Sequence, residues 1–67
     1  MRLDRIGWCT YEVRDPEGNY LGVVQRIDGR WGAYPIGYEH APLALANRAR
    51  SKRHAVSLLR AAHRRLG

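Results

Sequence analysis

The chain is 67 residues long, with 12 basic and 6 acidic side chains, a formal net charge of +6 and a pI near 10.5. That length predicts one domain over residues 1–67, with little room for an enclosed active site. Cys9 is the only cysteine, which excludes a disulfide framework and fits a reducing compartment. The N-terminus lacks the apolar core of a signal peptide and no run is long enough to span a bilayer, so a cytoplasmic location without membrane contact is expected.

The charge is unevenly placed. Residues 1–40 carry five bases and all six acids, while residues 41–67 carry seven bases and no acid. Such asymmetry is typical of a chain that meets a polyanion with one half. Eleven of the twelve bases are Arg, the better residue for forked phosphate and base-edge contacts. A GC-rich genome favours Arg, Ala and Gly as well, and accounts for the composition equally well.

In chain order, Ile6 to Arg14 reads as a first strand, with Cys9, Tyr11 and Val13 alternating against Trp8, Thr10, Glu12 and Arg14. Cys9 is expected to point inward. Asp15-Pro-Glu-Gly-Asn19 is a turn, in which Pro16 sets φ and Gly18 or Asn19 takes the left-handed position. Residues 20–27 and 30–36 then flank Asp28-Gly29, the dipeptide a type I′ hairpin requires. With that turn Val23 faces Tyr34, Val24 faces Ala33, Arg26 faces Trp31 and Ile27 faces Arg30. One face then holds Leu21, Val23, Ile27, Tyr34 and Ile36, expected to pack under the helix residues Leu59 and Ala62. The other holds Tyr20, Val24, Arg26, Trp31 and Ala33, expected to be exposed. Pairing Val13 with Leu21 extends this to a row of Trp8, Arg26 and Trp31 across three strands, with the tryptophans clamping the guanidinium. Burial of one or both tryptophans in the core is the competing expectation. Pro35 suits an edge strand.

Residues 37–42 read as loop, and Pro42 is placed to open a short helix from Leu43 to about Arg48, although Leu-Ala-Leu-Ala-Asn is equally compatible with irregular chain. Ser51 caps a helix that runs to about Arg65 and ends at Gly67. Ala55, Leu59, Ala62 and Leu66 form its apolar stripe, flanked by Val56 and Leu58, while Arg53, Ser57, Arg60 and Arg64 line the opposite face. A solvated face that keeps a small protein soluble is the simpler explanation of that arginine stripe alone. The expected fold class is α+β: a three-stranded antiparallel β-meander packed on one C-terminal α-helix, with a possible short helix before it.

Catalytic and metal chemistry find little support. His54 and His63 are nine apart, half a turn out of phase on the helix, and no Cys/His spacing suits zinc. The serines are a cap and a polar-face residue, two of the aspartates are turn residues, and no glycine-rich phosphate loop is present. No cofactor, no metal, no small-molecule substrate and no enzymatic activity are expected. A small RNA-cleaving toxin built on His40, Arg26 and Glu12 is the catalytic rival, distinguished by growth inhibition on expression.

Nucleic-acid binding has the most support. The strand pattern, with Gly-Arg-Trp-Gly-Ala-Tyr at residues 29–34 and Ser-Lys-Arg-His-Ala-Val-Ser-Leu-Leu at residues 51–59, resembles the arm-site DNA-binding domains of phage tyrosine integrases and the Apetala-type domains of plant transcription factors. The Arg/Ala/Gly-rich composition is similar to that of small actinobacterial and actinophage proteins. The resemblance implies a sheet face docked in the major groove through Arg26, Arg30 and Trp31, with Arg14 and Trp8 as neighbours. The Gly37–Arg50 segment is longer than in those families, and His54 stands where an acid is common there. Arg48, Arg50, Lys52 and Arg53 would contact phosphates at the helix start, and Arg60 and Arg64 would extend the surface. The expected partner is DNA, preferentially duplex, with RNA as the nearest variant. The alternative is a phage or mobile-element interaction module whose Trp8, Trp31 and Tyr20 patch meets a host protein or a second copy.

Overall fold

In the computed structural model, which describes residues 1–42 and 47–66, the chain forms an antiparallel sheet with one helix packed on it. The strands are β1 (Arg2–Gly7), β2 (Thr10–Arg14), β3 (Tyr20–Ile27), β4 (Arg30–Pro35) and β5 (Asn47–Ala49), followed by α1 (Lys52–Leu66). They lie in sequence order, each paired with the next. The α+β class and the C-terminal helix agree with expectation; among the described residues the sheet has five strands rather than three.

Two additions explain the difference. The expected first strand is two: the chain reverses at Trp8-Cys9, where Cys9 takes φ 55° and its carbonyl accepts the Arg26 amide at 2.9 Å. Its side chain is half-buried. The alternation from Trp8 to Arg14 therefore spans a turn, and residues 2–7 fold back as β1. At the other edge, Asn47–Ala49 pairs with β4, with Trp31 opposite Ala49 and Gly32 opposite Arg48. Arg48 is thus a strand residue, and the Leu43–Ala46 part of the expected short helix lies outside the described residues. β4 is not an edge strand, although Pro35 sits at its end, beyond the stretch that β5 pairs.

The two long hairpins form as their turn chemistry dictates. Asp28 and Gly29 both have positive φ, 51° and 77°, and the β3–β4 register is the one expected, Val24 opposite Ala33 and Arg26 opposite Trp31. In the Asp15–Asn19 turn Gly18 has φ 90° and donates to the Asp15 carbonyl at 2.9 Å.

The β2–β3 register differs by one residue. Val13 pairs with Gly22 and Tyr11 with Val24, and the step from Val13 to Arg14 skips Leu21. This bulge turns the Leu21 side chain to the same side as Val24, against plain alternation. Its pivot is Gly22, at φ 145°. A Cβ there would collide with the Tyr34 carbonyl oxygen.

The bulge and the helix together overturn the expected assignment of faces. Ala55 and Leu59 of α1 pack on Val13, Leu21, Val24 and Ala33, with Leu3, Tyr11, Trp31, Ala49, Val56 and Leu58 around them. The face expected to be exposed is the one under the helix. Val23 and Tyr34 are nevertheless buried, on the far face, beside Glu39 to Pro42 of the loop that follows β4. Ile36, expected in the core, is 48 % exposed. β3 and β4 are thus covered on both sides, so apolar alternation could not tell which side the helix takes.

Ser51 caps α1 as expected, its Oγ accepting the His54 amide at 3.1 Å. His54 Nδ1 in turn accepts the Arg50 amide at 3.1 Å, one residue before the Ser51 amide that the Glu of a capping box would accept from. Among the described residues no helix is long and apolar enough to cross a membrane.

Candidate nucleic-acid interface

The cations collect at one end of the molecule, because three consecutive chain segments bring them there. The tight Asp28-Gly29 turn sets Arg26 and Arg30 on either side of the β3–β4 tip, both exposed. β5 runs beside β4 towards that tip, which carries the exposed Arg48 and Arg50 alongside. The helix follows β5, with Lys52 and Arg53 in a first turn that contains no acid, and both side chains also border a groove that holds Met1 and Leu3 of the β1 side. The unpaired amides and positive dipole end of α1 add to the same field. Of the six acids in the chain, only Asp28 is at this tip.

Aromatic side chains form the floor behind the cations. Trp31 is half-buried at the edge of the helix-side core, tilted against Tyr11 with ring centroids 6.3 Å apart. Lys52 Nζ lies over the Tyr11 ring, 4.4 Å from its centroid, a position that holds the ammonium outward while its stem covers apolar surface. Trp31 therefore supports the site from beneath and is not freely displayed.

The expected row of Trp8, Arg26 and Trp31 does not form. Cys9, not Trp8, stands opposite Arg26, a consequence of the β1–β2 turn and the one-residue register difference. Trp8 projects from that turn, 85 % exposed, with the Arg5 guanidinium 5.7 Å from its ring centroid. Arg26 and Trp31 do lie side by side, but on the helix-covered face. No tryptophan clamp on Arg26 is present among the described residues. Arg5 and Tyr11 were missed by sequence reasoning. Arg5 belongs to a strand whose alternating charges gave no β signal, and Tyr11 read simply as core.

Arg14 is at the opposite end of the sheet and is already engaged. It donates to Glu12 Oε1 at 3.2 Å and to the Gly18 carbonyl at 3.1 Å, and lies over the Tyr20 ring at 5.7 Å. Arg60 and Arg64 are exposed along α1, away from the tip.

The far face of the sheet carries charges of both signs, since by register Arg2, Arg14, Arg30 and Arg48 share it with Asp4 and Glu12. Asp4 pairs with Glu12 in register, and the Glu39 carboxylate faces Tyr20 with Glu12. Burial first, and then the charges of Glu39 and Glu12, hold the Tyr20 hydroxyl above its ordinary pKa, with Arg14 opposing. That face also contains a groove of about 420 Å³ lined by Ile6, Thr10, Gln25, Ile27, Glu39 and His40. Tyr34 closes its base, 1 % exposed, its hydroxyl buried with no hydrogen-bond partner among the described residues and its pKa raised by burial. Glu12 belongs to this face and Arg26 to the helix side, so the His40, Arg26 and Glu12 set is not assembled into one site. Among the described residues, no group of three His, Cys, Asp or Glu side chains converges as metal ligands would.

No family model, curated protein or solved structure matches this chain.

Proposed function

We propose that this protein binds nucleic acid, preferentially duplex DNA, through the tip formed by the Asp28-Gly29 hairpin and the start of α1. The observation that carries the reading is that Arg26, Arg30, Arg48 and Arg50 lie at that end of the sheet, with Lys52 and Arg53 following in the acid-free first turn of α1. Cations of one sign held on rigid strands and a helix start lower the entropic cost of phosphate contact, and the helix dipole adds to them. The flat middle of the sheet is a weaker candidate, because one side lies under α1 and on the other Asp4, Glu12 and Glu39 offset the arginines beside them. The docking element is instead the narrow hairpin tip, a two-stranded ribbon of a width that a major groove admits. Arg26 and Arg30 are placed for base edges, and Arg48, Arg50, Lys52 and Arg53 for the backbone, with Arg60 and Arg64 reaching flanking phosphates.

Fluorescence anisotropy with a labelled duplex at 50 and 200 mM salt tests this. Contacts with ~4–6 phosphates give a slope of log K against log salt of about −4 to −5. Absence of binding at 50 mM, or binding indifferent to salt, removes the proposal. A single strand and an RNA duplex in the same assay separate the nucleic-acid classes.

A second reading, a protein-interaction module, is favoured by one observation, the 85 % exposed indole of Trp8. Trp8→Ala separates the two. Loss of a partner with DNA affinity unchanged supports the protein interface; a loss of DNA affinity makes Trp8 part of the tip.

A further inference from the structure

We infer that the protein forms a twofold dimer by pairing the β1 edges of two copies, with Leu3 opposite Leu3 of the partner. Among the described residues β1 is one of the two outer strands, six residues long, and no strand lies beside its outer side. The other outer strand, β5, is only three residues long. An unpaired edge of β1's length is a template for a second chain unless its sequence forbids it.

The charges of β1 favour one register among those centred on residues 2 to 5, while the irregularity between Arg5 and Gly7 disturbs a pairing centred on Ile6 or Gly7. A twofold axis normal to the sheet keeps equivalent residues on the same face, so the strands can slide only in steps that keep one residue opposite itself. Placing Arg2, Asp4 or Arg5 on the axis sets like charges against each other. Placing Leu3 on the axis sets Arg2 against the partner's Asp4, twice by symmetry, around a central apolar pair. Arg2 and Asp4 already meet within one strand at 2.9 Å, Arg2 largely and Asp4 partly exposed, so their charges lie on one face where a partner strand would meet them. Opposite charges directly across an antiparallel pair attract and like charges repel, which makes the pattern self-complementary.

The surface beside the edge fits the same occupant. Between β1 and α1 runs a groove of about 350 Å³ with Met1, Leu3 and Val56 on its floor and Lys52, Arg53 and Arg60 on its rim. The copy brings its own Leu3 and Met1 against this apolar floor, and covers it without burying the rim cations. Because the axis is normal to the sheet, both helices lie on the same side of the joined sheet, and their basic faces form one surface. The dimer does not depend on nucleic-acid binding.

Sedimentation equilibrium of the intact chain, with Arg2→Asp and Asp4→Arg alone and mixed, tests the register. The wild type dimerises; each variant alone places two like-charged pairs across the axis and raises the dissociation constant at least tenfold. The equimolar mixture restores dimers, since each variant supplies the charge the other lacks. A Leu3→Cys variant in a Cys9→Ser background, oxidised, gives a second readout: a cross-linked dimer, with little cross-linking from Asp4→Cys. A wild type that stays monomeric to 1 mM overturns the inference. So do a dimer unaffected by either charge reversal and a failure to cross-link at Leu3.

Discussion

Leu59 of α1 rests directly on Gly22 of β3: a Cβ at Gly22 would lie 3.1 Å from Leu59 Cδ2, besides colliding with the Tyr34 carbonyl. Gly22 also holds φ 145°, a conformation L side chains rarely adopt. The glycine therefore sets the closeness of helix and sheet and the bulge that turns Leu21 inward. Gly22→Ala is expected to destabilise the fold by about 2–4 kcal/mol, from backbone strain and overpacking together. Urea unfolding shows this as a lower midpoint at an unchanged slope. A loss below about 0.5 kcal/mol, within the range of neutral surface changes, contradicts the packing described.

That same contact shows where sequence reasoning stops. Asp28-Gly29 could be read directly, because a type I′ turn is local chemistry and fixes its register without outside help. Gly22 could not, since its positive φ matters only once Leu59 is above it. The face assignment failed for a related reason: Val24 and Ala33 lie under α1, while Val23 and Tyr34 are buried on the other side. Both faces of this hairpin are apolar enough to be core. The site was legible as a charge distribution, through the absence of acids after Glu39. Its geometry was not, because Trp8-Cys9 turns without Asn, Asp or Pro and with Cys9 at positive φ.

The cap of α1 is weaker than it needs to be. Ser51 Oγ accepts the His54 amide, and His54 Nδ1 accepts from Arg50, at a dipole end crowded with Arg50, Lys52 and Arg53. Ser51→Ala is expected to cost about 1 kcal/mol. His54→Glu keeps the acceptor and adds a negative charge where the dipole favours one, and is expected to stabilise by about 0.5 kcal/mol. Thermal unfolding by circular dichroism measures both. The same His54→Glu change should weaken DNA binding by putting an acid among the tip cations. A variant that gains stability and keeps its full DNA affinity would remove α1's first turn from the proposed interface.

Arginines at the two ends of the sheet should behave differently. Arg50 and Arg53 are exposed at the tip, whereas Arg14 is held by Glu12 and the Gly18 carbonyl. Each of Arg50→Ala and Arg53→Ala is expected to reduce the salt slope by about 0.9, one phosphate contact, with little change in stability. Arg14→Ala should leave the slope unchanged and lower stability slightly, through loss of a partly exposed network. Equal slopes for all three variants would mean that net charge, not the tip, governs binding.

Asp15 gives the fold a defined acid sensitivity. Desolvation, the largest single effect, acts to raise its pKa, but the Asn19 amide at 2.8 Å, the Asn19 side chain at 3.1 Å, the Glu17 amide and the charge of His63 together outweigh it. The carboxyl is held below its ordinary value, so the folded state favours the ionised form. Its contribution is complete above the ordinary aspartate range near pH ~3.9 and is lost as pH falls through the lower folded value. Asp15→Ala removes the group, so the difference in unfolding midpoint between pH 6 and pH 2.5 should shrink relative to wild type. At pH 2.5 the variant and the wild type should differ less than at pH 6. An unchanged pH dependence would show that the β2–β3 turn closes without the charge on Asp15, through the Gly18 bond and the ladder alone.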